Sequence, residues 1–189
     1  MSVGDRVALG DARSIALGIL WRLSPATERI EIAGSIRRGR ADVGDIEIVA
    51  VPRIETEPDG LFDFADANRL TERVDSLIAD GLLANHPIDP KRGDRYSKLI
   101  EPTSGLQLDL FSATASTFGL IYLIRTGPAD YSHRFVTDLR RRDLHVAGGQ
   151  LHRGSLGCGA YVCEIVPTPE EIDVYAAAGW PFVQPEDRR

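Results

Sequence analysis

The segment from Asp45 to Pro52, DIEIVAVP, places the strongest constraint on how this chain can fold. Acidic and apolar residues alternate at its start, and successive side chains of an extended strand point to opposite faces. The two isoleucines would then enter a core, while Asp45 and Glu47 share the other face. Asp109 lies between two leucines in the later segment LDLF. These patterns predict strands that are apolar on one face and carry acids on the other.

The rest of the chain predicts a mixture of helices and strands. An amphipathic helix is expected over residues 9–23, because Pro25 prevents its continuation. Before a domain boundary near residues 112–116, further strands are predicted over 29–33, 96–101 and 106–112, and a second helix over 65–81. Beyond it we expect two helical segments that flank Gly127 and Pro128, and a hairpin at Gly148 and Gly149.

The charge distribution is uneven along the 189 residues. The net charge is -6, which disfavours contact with phosphate backbones over the protein as a whole. Residues 91–142 nevertheless hold 9 Lys and Arg against 5 Asp and Glu. This basic middle suits a local nucleic-acid contact, although a solvated charged surface is the commoner meaning of such a bias.

Targeting and cysteine signals point to a cytoplasmic protein without membrane contact. No apolar run approaches the length that crosses a bilayer, and the first residues lack the basic and apolar regions of a signal peptide. Cys158 and Cys163 are too few for a disulfide framework, so reduced thiols are expected. A zinc site formed by these cysteines with His145 and His152 is disfavoured, because the gaps do not match paired ligand spacing.

Three acids carry the candidate chemistry. Asp45, Glu47 and Asp109 would converge from two strands, and carboxylate oxygens are the ligands that Mg²⁺ prefers. Phosphoryl transfer needs such ions together with donors that hold a triphosphate. For any one of the three acids, a solvent-facing strand position is the more frequent explanation.

The glycine-punctuated loop before these acids strengthens the case. Gly34 and Ser35 could offer backbone N–H groups and a hydroxyl to phosphate oxygens, and arginines at positions 37, 38 and 40 add fixed positive charge. Gly44 would let the chain pass close to a bound nucleotide. The combination predicts a metal-dependent nucleotidyltransferase.

Residues 34–47, GSIRRGRADVGDIE, resemble the nucleotidyltransferase superfamily typified by DNA polymerase beta, the family X DNA polymerases. YLIRTGPADYSHRF is similar to the segment at which the thumb helix of that family bends, and PTPEEIDVYAAAGWPFVQPEDR to its C-terminal helix and tail. The resemblance implies an α+β fold. It comprises a nucleotidyltransferase palm at 1–114, with a mixed or antiparallel sheet and helices on one face, and a small α/β thumb at 115–189. No lyase or fingers domain is expected.

The resemblance also assigns residue roles. Asp45 and Glu47 would bind two Mg²⁺ ions, for which Mn²⁺ could substitute, and Asp109 would bind the catalytic ion and accept or relay the primer hydroxyl proton. The expected nucleotide-binding residues are Gly34, Ser35, Arg38, Gly44, Thr126 and Gly127. The expected nucleic-acid contacts are Arg95, Lys98, Ser132 and Arg134, although a solvated loop explains Arg95 and Lys98 nearly as well.

This chain departs from the family pattern at several positions. Glu47 stands where the family usually has Asp, Arg125 replaces an aromatic residue, and Ser132 replaces a base-contacting asparagine. These changes concern metal preference, sugar discrimination and base selection. The bend carries a cis peptide in the family, and Pro128 would lower the cost of that bond here.

The predicted function is that of a minimal DNA-directed DNA polymerase, which adds deoxynucleotides to a primer 3′ hydroxyl by two-metal phosphoryl transfer and fills gaps in DNA repair. Its partners would be a DNA primer-template and deoxynucleoside triphosphates. We expect a monomer, with an accessory protein in place of the missing domains. Two alternatives remain open: a template-independent or small-substrate nucleotidyltransferase, and a non-catalytic nucleic-acid-binding module.

Overall fold

The central sheet is built on the alternating strands that the sequence predicts. The computed structural model describes residues 6–58, 63–154 and 163–189. Its strands are β1 Val7–Ala8, β2 Thr27–Ile32, β3 Asp42–Val43, β4 Asp45–Pro52, β5 Ile54–Pro58, β6 Phe64–Asn68, β7 Ala84–Asn85, β8 Lys91–Gly93, β9 Tyr96–Ile100, β10 Gln107–Ser112, β11 Leu144–Ala147, β12 Gln150–Arg153 and β13 Glu164–Val166. Its α-helices are α1 Leu9–Leu23, α2 Gly34–Arg37, α3 Arg69–Ala79, α4 Phe118–Thr126, α5 Ala129–Leu139 and α6 Glu171–Ala178. The predicted α+β class is confirmed.

The sheet has the strand order β2-β4-β10-β9-β7, and β8 also pairs with β9. β4 and β10 run parallel, whereas β2 with β4 and β10 with β9 are antiparallel, so the sheet is mixed as predicted. The parallel register places Asp109 opposite Glu47 and Gln107 opposite Asp45. Residues opposite each other in paired strands share a face. The sheet therefore brings the three predicted acids to one side.

Helices α1 and α3 cover the other face of this sheet. Ile46, Ile48, Leu108 and Leu110 point to that side and are at most 3% exposed. They pack with Ala12, Ala16, Ile19, Leu23, Leu70, Val74 and Leu77 from the two helices. This core anchors β4 and β10, whose alternate residues include the acids.

Helix α4 covers part of the acid-bearing face. Phe118 at its start packs with Val49, Val51 and Phe111, which continue that face beyond the carboxylates. Leu120 and Leu123 of the same helix belong to a second core together with Phe135, Leu139, Leu144, Leu151, Val174 and Tyr175. Helix α4 thus contacts the central sheet on one side and α6 on the other. The division at residue 114 stays a prediction.

Several elements differ from the sequence predictions. Residues 64–68 form a strand that pairs with β5, so the helix predicted over 65–81 begins only at Arg69. The Asn68 side chain accepts a hydrogen bond from Thr71 N at 3.1 Å and caps that helix. The predicted loop over 34–44 contains α2 and β3. The hairpin is confirmed, and Gly148 and Gly149 have φ of 58° and 81°.

Two further expectations, a cis peptide bond at Pro128 and reduced cysteines, are not met. No peptide bond of the described residues is cis, so the cis bond expected at Pro128 is wrong. Gly127 and Pro128 instead join α4 to α5 in extended conformations. Cys163 is disulfide-bonded, which overturns the expectation of a reduced thiol there, and Cys158 lies outside the described residues. Within the described ranges, no helix has the length and apolar character that a membrane crossing requires.

Candidate active site

Three carboxylates lie on one face of the β4–β10 pair. Asp45 and Glu47 alternate with buried isoleucines on β4, and both are partly buried. Asp109 lies on β10 directly opposite Glu47 and is 9% exposed. Carboxylates this close in a poorly solvated position repel one another unless cations compensate them. The fold therefore concentrates negative charge at this point.

The electrostatic effect on the β4 acids is clear. Burial, together with the charges of Asp45 and Asp109, raises the pKa of Glu47 to about 7. Burial and the carboxylate of Asp109 also raise the pKa of Asp45. The positive charges of Arg38 and Arg125 oppose the shift at Glu47 without cancelling it. A further cation at this face would relieve the repulsion.

The carboxylate of Asp109 is held by two hydrogen-bond donors. Tyr96 donates its hydroxyl to Oδ1 at 2.5 Å, and Gln107 donates Nε2 to Oδ2 at 2.8 Å. The Tyr96 ring stacks on Phe111, with centroids 4.9 Å apart. Burial and the bond to Asp109 raise the pKa of Tyr96, so it remains a neutral donor. Both oxygens of Asp109 are thus oriented by protein groups.

The described residues contain no three His, Cys, Asp or Glu side chains grouped so that they could hold one metal ion. The three acids share a face and supply hard oxygen ligands, but their side chains are not gathered about a common point. The stacked rings of His145 and His152 likewise belong to no such group in the part of the chain described.

Gly34 lies directly against Glu47. A β-carbon at position 34 would be 1.9 Å from Glu47 Oε2, and the φ of Gly34 is 63°. Such a φ is unfavourable for residues other than glycine. The sequence predicted that Gly34 approaches a nucleotide; the structure shows that its missing side chain makes room for an acid of the cluster.

A polar cavity of about 580 Å³ adjoins Asp45. Its lining includes the predicted residues Ser35, Arg38 and Gly44. The buried atoms Ser35 Oγ and Arg38 Nε find no hydrogen-bond partner within the described residues. Buried polar atoms without partners are uncommon and often indicate a ligand or water. Three arginines, Arg6, Arg38 and Arg40, outnumber the two acids of the lining, Asp42 and Asp45.

Two residues of this cavity were missed by the sequence analysis. Arg6, just before β1, and Gln107, at the start of β10, line it together with Arg40. The charge of Arg6 also lowers the pKa of Asp45, against the larger effect of burial. The parallel pairing brings Gln107 beside Asp45. No local pattern in the sequence signals these placements, because both depend on tertiary contacts.

The end of α4 is hydrogen-bonded to the arginine-bearing segment, residues 37–40. Thr126 is fully buried, and its carbonyl oxygen accepts a hydrogen bond from Arg38 Nη1. Its hydroxyl accepts one from Arg37 Nη1 at 2.7 Å. Gly127 has no room for a side chain, since a β-carbon there would be 2.7 Å from Ser132 Oγ. Arg37, expected to provide charge to a phosphate, instead binds Thr126 and Glu171.

The predicted nucleic-acid contacts are dispersed. Ser132 is buried, and its hydroxyl donates to the carbonyl oxygen of Ile124 at 2.8 Å, whereas Arg134 is exposed on α5. Lys98 lies opposite Asp109 on β9, and its Nζ is 3.2 Å from Asp89. Arg95 is exposed. The structure does not gather these four side chains at one point.

A second cleft, of about 710 Å³, lies between the central sheet and the β11–β12 hairpin. Arg95, Tyr96, Phe111 and Arg125 line it, together with the hairpin glycines. The guanidinium of Arg125 lies 4.0 Å from the centre of the Phe111 ring. Tyr96, which lines this cleft, also donates its hydroxyl to Asp109, so the cleft is linked to the acids through that one side chain.

A comparison with known proteins finds a distant similarity to a DNA polymerase. No protein-family model matches the chain. The chain is 26% identical to DNA polymerase lambda of Rattus norvegicus over 166 residues, which cover 82% of this chain. It spans 28% of the length of that relative. The similarity supports a distant relationship to the family X DNA polymerases.

Proposed function

We propose that this protein is a DNA-directed DNA polymerase of the polymerase beta type, which adds deoxynucleotides to a primer 3′ hydroxyl during gap filling. The observation that carries the proposal is a cluster of three carboxylates on one sheet face, one of which, Asp45, lines a cavity that also holds three arginines. The distant similarity to a DNA polymerase supports the same chemistry.

The acids would hold the divalent ions. Asp45 and Glu47 supply oxygen ligands from one strand, and Asp109 supplies them from the adjacent strand. Two Mg²⁺ or Mn²⁺ ions bound there would polarise the phosphoryl oxygens and stabilise the charge that develops during transfer. The raised pKa of Glu47 fits a site that lacks cationic compensation. Asp109 would accept the proton of the acceptor hydroxyl at a carboxylate oxygen.

The polar cavity would bind the triphosphate. Ser35 and Arg38 line it, each with a buried polar atom that has no partner among the described residues, and Arg6 and Arg40 add positive charge. Phosphate oxygens are strong acceptors for such donors. Gly44, which also lines the cavity, leaves the backbone accessible to the ligand.

The second cleft would receive the nucleic acid. Its arginines, Arg95 and Arg125, suit a phosphate backbone, and Tyr96 and Phe111 offer aromatic surface near Asp109. An extended polymer would thereby place its terminal hydroxyl near Asp109, while the nucleotide enters from the other cavity. The length of this cleft's lining, with two arginines and two aromatic rings, favours a polymeric acceptor over a small one.

The decisive experiment is extension of labelled gapped, nicked and single-stranded primers with each deoxynucleotide in Mg²⁺ or Mn²⁺. We expect incorporation that follows the template base and that Asp45→Asn and Asp109→Asn abolish. Asp75→Asn is the matched control, because Asp75 is an exposed acid on α3 that pairs with Arg92. Incorporation that ignores the template would instead support a template-independent transferase. No incorporation, with DNA binding unchanged in Asp45→Asn, would leave a binding module.

A further inference from the structure

A group of three charged side chains, Arg37, Glu171 and Arg188, connects the arginine-bearing segment to residue 188. Arg37 donates two hydrogen bonds to Glu171, at 2.9 Å to Oε1 and 2.8 Å to Oε2. Arg188 donates to Glu171 Oε1 at 2.7 Å. Glu171 is 6% exposed and Arg188 is 0% exposed. The second-to-last residue is thereby tied, through one carboxylate, to the segment that follows β2.

Glu171 stays ionised in these surroundings. Burial alone would raise its pKa, but the hydrogen bonds and charges of Arg37 and Arg188 outweigh it and lower the pKa. Arg188 uses its remaining donors on the carbonyl oxygen of Val183, at 3.1 and 2.9 Å. Each cation is therefore compensated by a specific partner, and removal of Glu171 would leave the buried Arg188 and the partly buried Arg37 without the carboxylate they share.

The same group reaches the nucleotide cavity through Thr126. Arg37 binds the Thr126 hydroxyl, and its neighbour Arg38 binds the Thr126 carbonyl oxygen. The guanidinium of Arg37 also lies 3.8 Å from the centre of the Tyr122 ring. Arg38 lines the polar cavity, and its buried Nε has no hydrogen-bond partner among the described residues. The direction of Arg38 thus depends on a threonine that Glu171 helps to hold through Arg37.

We propose that Glu171 is a positioning residue for nucleotide binding, which acts through Arg37 and Thr126 to direct Arg38 into the cavity. The inference rests on the proposed function, because it takes that cavity as the triphosphate site. An error of about 1 Å in a positioned group can lower a rate by roughly 100-fold. Loss of the carboxylate would weaken nucleotide binding more than it slows the chemical step, because Asp45, Glu47 and Asp109 lie on strands that Glu171 does not touch.

A neighbouring ion pair provides the matched control. Arg29 and Glu170 also join β2 to the start of α6, with hydrogen bonds of 2.6 and 2.9 Å. The Glu170 side chain is 55% exposed. The hydrogen bonds that Thr126 accepts come from Arg37 and Arg38, not from this pair. Glu170→Gln therefore removes the same kind of charge, one residue away, without reaching the cavity.

The test measures the dissociation constant of dATP with Mg²⁺ by calorimetry, and kcat and KM in primer extension. We expect Glu171→Gln to raise both the dATP dissociation constant and KM by about 10- to 100-fold, with kcat changed less. Glu170→Gln should stay within about twofold of the parent protein. Thr126→Val removes only the hydroxyl that binds Arg37 and should raise KM in the same direction, while Thr126→Ser should restore it.

Each outcome decides the inference. A folded Glu171→Gln variant with the KM of Glu170→Gln would overturn it. If Glu171→Gln does not fold, as judged by urea denaturation, the two Thr126 variants decide: equal KM values for Val and Ser overturn the inference. If the parent protein binds neither dATP nor inorganic tripolyphosphate, both this inference and the proposed function fail. Binding of dATP without primer extension would spare the inference and contradict only the polymerase activity.

Discussion

Glu47 Oε2 occupies the space in which a side chain at Gly34 would begin, so that a β-carbon at residue 34 would lie 1.9 Å from this oxygen. The two residues belong to successive segments of the chain, and Ala33 N donates to the carbonyl oxygen of Glu47 at 2.8 Å. The close approach makes the conformation of the acid dependent on the size of its neighbour.

Gly34→Ala should therefore impair both folding and activity. The positive φ alone costs about 1–2 kcal/mol for alanine, and the new methyl group must also displace the Glu47 carboxylate. Gly39→Ala is the matched control, because Gly39 has φ of 68° but no described atom lies within 4 Å of its β-carbon position. Urea denaturation should show that backbone strain lowers the free energy of unfolding of both variants, and that Gly34→Ala loses more. Only Gly34→Ala should lower kcat, by about 100-fold. Equal kcat values would contradict the role of this contact.

The pKa of Glu47 predicts a pH-dependent stability in the metal-free protein. The folded-state pKa is about 7, against an ordinary value of 4.5. The folded state binds this proton more tightly than the unfolded state. The stabilisation that protonated Glu47 gives the folded state is therefore fully present below pH 4.5 and is lost as the pH rises through 7. Glu47→Gln cannot titrate, so its free energy of unfolding relative to the parent should rise with pH, by up to about 3 kcal/mol.

Urea denaturation of both proteins with EDTA between pH 5 and 8 measures this difference. Glu186→Gln, at an exposed position, controls for loss of a carboxylate. A parent-to-variant difference that stays constant across the range would show that burial does not shift Glu47. Added Mg²⁺ should reduce the slope if the acids bind it, because the ion favours the charged carboxylate.

Tyr96→Phe should slow the chemical step while it leaves the fold intact. The variant keeps the ring that stacks on Phe111 but loses the hydroxyl that holds Asp109 Oδ1 at 2.5 Å. Groups that orient a ligating carboxylate are worth about 10- to 100-fold in metal affinity or activity. Single-turnover extension and Mn²⁺ titration followed by electron paramagnetic resonance would measure the two effects. Tyr131→Phe, which removes a buried hydroxyl bonded to Tyr175, should change neither.

Ser35→Ala should have opposite effects on stability and on nucleotide binding. The Ser35 hydroxyl is buried and lacks a partner among the residues described, so its loss removes a desolvated group at little cost. We expect an unfolding free energy equal to or above that of the parent, by up to about 1 kcal/mol. If the hydroxyl binds a phosphate oxygen, KM for dATP should nevertheless rise by about tenfold. A destabilised variant with unchanged KM would refute the assignment.

Local patterns were sufficient for the elements that hold the acids. β4 has the bounds that its alternation predicts, and α1 ends at Leu23, before Pro25. The helix predicted from residue 65 failed because pairing with β5 outweighed the helical pattern before Asn68. Local sequence patterns could not predict the placement of three site residues, Gln107, Arg6 and Tyr96. Their positions depend on strand register and on contacts between distant segments.

The parallel pairing of β4 with β10 runs without interruption from Asp45 to Ala50 on one strand. The relative positions of the acids are therefore set by main-chain hydrogen bonds, which do not depend on the identity of the surrounding side chains. A shift of the strand register by a single residue would turn Asp109 into the apolar core. The free-energy cost of burying that carboxylate excludes the shifted register. Mutations can accumulate in the covering helices and in the loops while the acids keep their spacing, whereas an insertion or deletion inside either strand would abolish the site in one step.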